Sequence, residues 1–173
     1  MKKLTKPLKP SLLLASFTAF FLMAFQFNSS NPSGYEPIMM DRSDMEASVL
    51  LRDARSIEAP GKIWIYNDMI LLIEQYKGIH IIDNSNPGSS KTVAFIQVDG
   101  CTDITMKGNV LYANNGVDMI GIKPNNDFSD FTVIARNRKM LPNISSPEPW
   151  NDWYYYNILP ANTVIVRWIP ISN

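Results

Sequence analysis

From Lys62 onward, apolar and polar residues alternate in short bursts. "KIWIY" (62–66), "MILLIE" (69–74), "GIHIID" (78–83) and "TVAFIQV" (92–98) are rich in Ile, Val, Trp and Tyr, and "ND", "QYKG" and "NSNPGSS" separate them. Runs of this length and composition, bounded by Asn, Asp, Gly and Pro, predict strands joined by tight turns. The pattern then recurs as "DITM" (103–106), "VLYAN" (110–114), "VDMIGI" (117–122) and "FTVIA" (131–135), with "KGN", "NG" and "KPNNDFSD" between. Asn67-Asp68 set against Gly108-Asn109 gives a period of 41 residues, and "HIID" (80–83) set against "IGIK" (120–123) gives 40. A four-strand unit of that length has the size of one propeller blade. The one-residue slip falls in the turn Gln75–Gly78. The predicted fold class is all-β. Two four-stranded antiparallel blade-like repeats, 61–100 and 101–140, form a partial β-propeller, with a short helix N-terminal to them. Eight or nine short strands at this spacing also fit a small β-sandwich.

The flanks read differently. In "GYEPIMMDRSDMEASVLLRDARSIEAPGK", Ser43 with Glu46 three residues on has the spacing of a capping box and predicts a helix over 43–51. Residues 28–60 are otherwise a linker, closed by the turn signal Ala59-Pro60-Gly61. The tail, 141–173, opens on "LPNISSPEP", whose three prolines in nine residues predict irregular chain. "WNDWYYYN" then places five aromatics in eight residues, and "NTVIVRWIP" (162–170) alternates as a strand expected to pair with the second unit and close its sheet.

The only histidine, His80, lies three residues before Asp83 in "KGIHIIDNSNP". Ile79, His80, Ile81 and Ile82 alternate across a strand, so His80 reads as a mid-strand structural residue. Asp83, Asn84, Ser85, Asn86 and Pro87 all favour turns, so Asp83 is expected to tie down the turn.

Charge changes the reading of the N-terminus. The formal net charge is zero, yet Lys2, Lys3, Lys6 and Lys9 lie in the first nine residues; without them 12 basic face 16 acidic residues, a net of −4. A mildly acidic body has no basic patch for phosphates, which argues against nucleic acid as a partner. The lysines precede an uncharged, mostly apolar run, "SLLLASFTAFFLMAFQF" (11–27), and "NSSNPSG" breaks it. This is the layout of a secretory signal or N-terminal membrane anchor over 1–27, with the lysines on the cytoplasmic side. The chain is expected to be exported, to the periplasm or cell surface, and either freed by cleavage or held by residues 11–27. No cysteine follows the apolar run, so it is not a lipoprotein signal. The single cysteine, Cys101, cannot form an internal disulfide and reads as a small buried apolar side chain.

"GIHIIDNSNP" resembles the core of the LVIVD repeat, named for a Leu-Val-Ile-Val-Asp strand followed by a polar turn with Ser/Asn and Pro. Ile79-His80-Ile81-Ile82-Asp83 stands in for that strand. Residues 59–123 resemble the first repeats of exported LVIVD-repeat proteins of Bacteroidetes-type bacteria, and "KGN–LYA" adds to the likeness. The resemblance implies a β-propeller of which this chain holds the N-terminal part. It implies no catalytic residues. Two departures matter: the second copy reads "MIGIKP", with Lys123 in place of the Asp, and two repeats do not close a propeller. The chain is then a short standalone form, a truncated product, or a subunit completed by a partner.

Candidate chemistry is sparse. One His and one Cys make a zinc site improbable. "DNSNPGSSKTVA" starts like a calcium loop at Asp83 with Gly88 sixth, but Pro87 stands fifth and Ala94 stands twelfth, where a bidentate Glu is needed. There is neither a G-x-S-x-G elbow nor a Gly-rich phosphate loop. No catalytic residue, metal or cofactor is assigned. The candidate ligand-binding residues are Trp150, Asp152, Trp153, Tyr154 and Tyr156, aromatics beside carboxylates that would suit a sugar face. The expected function is a non-catalytic exported interaction or scaffold protein, self-associating or binding a protein partner through open sheet edges. The alternative is a small exported carbohydrate-binding or hydrolytic protein using Glu148, Asp152 and the tail aromatics.

Overall fold

The computed structural model describes residues 34–172; the expected signal or anchor over 1–27 lies outside the described residues. The two predicted units are antiparallel meanders. The first runs β3 (Pro60–Tyr66), β4 (Met69–Glu74), β5 (Gly78–Asp83) and β6 (Lys91–Gln97). The second runs β7 (Ile104–Lys107), β8 (Val110–Asn115), β9 (Asp118–Pro124) and β10 (Phe131–Asn137). Each strand pairs with its neighbours in sequence. Two-residue hairpins set the registers: Tyr66 faces Met69 across Asn67-Asp68, and Lys107 faces Val110 across Gly108-Asn109. Asn67 and Gly108 both take positive φ, +52° and +59°, as such turns require.

The described residues therefore form an all-β protein of three antiparallel sheets, and the two meanders pack on each other. Leu71, Ile73, Ile79, Ile81 and Ile96 of the first meet Ile104, Leu111, Ile120 and Ile122 of the second in one buried core. Alternation puts these residues on the inner face of each sheet, and burying them is the main stabilising term. Where the chain crosses from β6 to β7, Gly100 takes φ +76° and lies against Gly116, in the β8–β9 turn. A Cβ on Gly100 would come within 2.6 Å of the Gly116 nitrogen, so no side chain is tolerated there, and the left-handed backbone itself favours glycine.

The flanks depart from the sequence reading. The helix, α1, spans Arg42–Ala47 rather than 43–51. Asp41, not Ser43, occupies the N-cap and makes no side-chain capping bond, and Glu46 pairs with Arg42 and Arg138 instead of closing a capping box. Leu50–Asp53 leaves the helix and forms β2, a fifth strand on the edge of the first sheet beside β6. Leu51 opposite Ile96 then joins the core, and that tertiary burial outweighs helical propensity. The segment 28–60 is thus not a plain linker, since it also supplies β1 (Tyr35–Asp41). In the tail, Trp150–Ile158, read from the sequence only as an aromatic cluster, is a helix, α2. Pro149 at its N-cap already has a helical φ of −61°. The terminal strand, β11 (Thr163–Pro170), is present but pairs with β1 rather than with the second unit. Tyr35 faces Pro170 and Asp41 faces Thr163, so the first and last described strands form a ribbon of their own. Its Val164 and Val166 pack with Met45 and Val117. No helix among the described residues is long and apolar enough to cross a membrane.

A buried ion network locks α1 to the second sheet. Asp118, at the start of β9, accepts from Arg42 Nη1 at 2.9 and 3.0 Å, from Arg136 Nη1 at 3.0 Å and from the Lys139 amide at 3.0 Å. Burial alone would push the Asp118 carboxyl up. The Lys139 amide and the two guanidinium groups outweigh it and hold the carboxyl below its ordinary value.

Candidate functional site

Three places gather polar or aromatic side chains. The first lies on the outer face of the first sheet. His80 on β5 sits opposite Leu72 on β4, which brings Glu74 diagonally alongside. His80 Nε2 and Glu74 Oε2 are 3.0 Å apart, and both side chains are fully buried. Glu74 also accepts the Glu58 amide at 3.0 Å and the Ala59 amide at 2.6 Å. Burial would raise the Glu74 carboxyl, but these amides together with His80 bring it below its ordinary value. An ionised Glu74 is an acceptor only, so the imidazole donates from Nε2. His80 Nδ1 has no partner among the described residues. The ring lies 4.9 Å from Phe95, and the Arg55 guanidinium stacks over that Phe95 ring at 5.0 Å. The pair is sealed under the segment 55–59 and staples that segment to the sheet. Asp83, the other residue near His80 in sequence, caps its own turn by accepting the Ser85 amide at 2.9 Å.

The second place is a cleft of about 380 Å³ where β3 meets β7 and β8. Trp64 and Tyr112 wall it, and the Lys62–Asp103 ion pair, 2.6 Å long, spans it. Asn114 at its base is fully engaged: its Oδ1 accepts the Thr102 and Asp103 amides, and its Nδ2 donates to the Gly100 carbonyl. The sequence reading did not single out these residues. They come from both meanders and meet because the sheets pack on each other.

The third place is α2, which carries the five candidate ligand-binding residues. It splits them. Trp150, Trp153 and Tyr154 are exposed on one face, with the two indoles 64% and 77% accessible. Asp152 and Tyr156 turn the other way. Asp152 accepts the Ser146 amide at 2.7 Å, and the Tyr156 hydroxyl donates to the Ile144 carbonyl at 2.7 Å. Burial pushes the Tyr156 hydroxyl above its ordinary value, and the nearby Asp152 adds to that. Glu148 accepts the Gly34 amide at 3.0 Å and Asn151 Nδ2 at 3.2 Å. Both carboxylates of the hydrolytic alternative are therefore spent on fixing the start of α2.

Cys101 is fully buried, and burial raises its thiol to about 12. Among the described residues no group of three or more His, Cys, Asp or Glu side chains converges on a metal-sized site. No protein-family model, no curated protein and no solved structure matches the chain.

Proposed function

We propose that this chain is an exported, non-catalytic β-repeat interaction protein whose binding surface is the open outer face and free edge of its first sheet, and whose partner is a second copy of itself. One observation carries the reading. The edge strand β3 points Trp64 and Tyr66 into the core and leaves Ile63 and Ile65 outside, 59% and 68% accessible. Ile63 lies opposite Leu72, Ile65 opposite Ile70, and Ile70 opposite Ile82, with Val93 also exposed on β6. Among the described residues this apolar strip has no sheet over it, and β3 has no strand paired on its outer edge.

The complementary surface is on the same chain. The outer face of the second sheet presents Val110, Tyr112 and Met119. The inner faces already pack sheet on sheet. Outer face on outer face, between copies, repeats that contact head to tail. The LVIVD-like strand and the 40-residue units support the same picture, with each chain supplying two blades of a larger ring. The catalytic-type groups are committed elsewhere: Glu74 and Asp118 to buried networks, Glu148 and Asp152 to the start of α2. Export rests on the lysine-led apolar run at the N-terminus.

The test is the solution mass of residues 28–173 by light scattering over a concentration series. The expected result is a defined dimer or larger ring that Ile65→Lys reduces to monomer. A wild-type chain that stays monomeric at high micromolar concentration contradicts the reading.

A further inference from the structure

We infer that the cleft where β3 meets the β7–β8 hairpin is a binding site for a neutral sugar of one or two rings. The inference goes beyond self-association and does not rest on it. Trp64 and Tyr112 wall the cleft, and Thr105, opposite Tyr112 in the β7–β8 register, joins them. Each of the three carries a polar tip, and none of those tips bonds to another described residue. Elsewhere in the chain such tips find protein partners: the Trp168 indole and the Tyr156 hydroxyl both donate to the Ile144 carbonyl. Half-buried Trp64 and Tyr112 instead keep an indole N–H and a hydroxyl for a group outside the protein.

The charged pair adds a second set of spare groups. Lys62 Nζ and Asp103 Oδ1 are 2.6 Å apart, with side chains 53% and 63% accessible. An ion pair this exposed contributes at most about 1 kcal/mol, so it opens to a ligand at little cost. Asp103 Oδ1 also accepts the Ile104 amide at 2.7 Å, whereas Oδ2 accepts nothing from the described residues. The ammonium has donors left over beyond its bond to Asp103. Spare donors and a spare acceptor therefore stand side by side. Adjacent hydroxyls of a sugar ring match that couple, because a hydroxyl both donates and accepts: one takes a bond from Lys62 and its neighbour gives one to Asp103. The C–H faces of the ring are apolar and suit the two aromatic walls. Lys62 and Asp103 cancel in charge, and no other charged residue lines the cleft, so neither an anion nor a cation is favoured there. Asp103 is the sole carboxylate in the lining, and hydrolysis of a glycoside needs two, so the site holds a sugar without cleaving it. A volume of about 380 Å³ is near the low end of small-molecule sites, about 300–1,000 Å³, which limits the ligand to one or two rings. Tyr112 also belongs to the outer face that a second copy would cover, so sugar and second copy compete for it.

The experiment is saturation-transfer NMR on the full chain, held in a detergent without a sugar headgroup and diluted until its mass is that of one chain. The probes are glucose, galactose, mannose, N-acetylglucosamine, maltose and cellobiose, with adenosine and phenylalanine beside them. At least one sugar is expected to saturate the protein, half-maximally at about 1 mM or below. Lys62→Met, at an exposed position, should weaken that binding about tenfold, the worth of one charge-assisted hydrogen bond. Tyr112→Ala should abolish it, and Trp150→Ala/Trp153→Ala, on α2, should leave it unchanged. Failure of every sugar to saturate at ten times that concentration overturns the inference. So does a sugar whose binding is lost with the α2 variant and survives both cleft variants. Adenosine or phenylalanine saturating where no sugar does assigns the cleft to a base or a zwitterion and also overturns it. Binding is read on single chains, so its failure leaves self-association standing, and a chain that never self-associates leaves this test intact.

Discussion

His80 shows how far single residues can be read. Its alternation with isoleucines marks it as a strand residue, and Asp83 reads correctly as a turn cap, because both roles are settled within a few neighbours. Its true partner, Glu74, was not legible. The pairing depends on the β4–β5 register, which sets Leu72 against His80 and so brings Glu74 alongside. Glu74→Ala would strand the buried His80 and leave the Glu58 and Ala59 amides without their acceptor, and is expected to cost about 3 kcal/mol in chemical unfolding. Acid should act through the same group and through Asp118. Both carboxyls are held below their ordinary values of 4.5 and 3.8, so the folded state binds fewer protons than the unfolded. Their stabilisation is complete above those values and is lost as pH falls through the lower folded ones. Thermal unfolding from pH 7 to pH 3 should show the loss, with Asp118→Asn flattening part of it. Cys101 was read from the sequence as a small buried side chain, and it lies fully buried in the core. With its thiol raised to about 12, only about one molecule in ten thousand carries a thiolate at pH 8. Alkylation by iodoacetamide should be negligible in the native protein and complete in denaturant.

At the scale of elements, the eight meander strands were legible because each pairs with its neighbour across a turn whose residues announce it. Asn67-Asp68 and Gly108-Asn109 are local signals of this kind. The two strands that were missed, β1 and β2, and the pairing of the predicted strand β11 depend on distant partners. β2 forms because Leu51 is needed opposite Ile96, and β1 and β11 form because the first and last described strands meet. No local pattern records such pairings. α2 was hidden by the prolines on either side of Glu148, which read as breakers, although Pro149 suits a helix start. The close approach of Gly100 and Gly116 welds the two meanders where β6 crosses to β7. Gly100→Ala forces a Cβ into backbone at positive φ and should destabilise by about 2 kcal/mol, measured as a lower denaturation midpoint with unchanged m-value.

Among the described residues, two sheets share one buried core beside the β1–β11 ribbon, and each leaves part of its outer face uncovered. The first is apolar and ends in a free edge; the second is mixed, with a cleft at its side. The two meanders were visible in the sequence as runs spaced 40–41 residues apart, whereas the cleft, built from both of them, was not. The central claim is that the outer face and free edge of the first sheet bind a second chain. Amide hydrogen exchange along β3, followed as protein concentration rises, tests it directly. The account predicts that Lys62 to Ile65 slow several-fold while Leu71 to Ile73, already paired on both sides, do not change. Exchange in β3 that stays fast at every concentration, in a chain of constant mass, would contradict it.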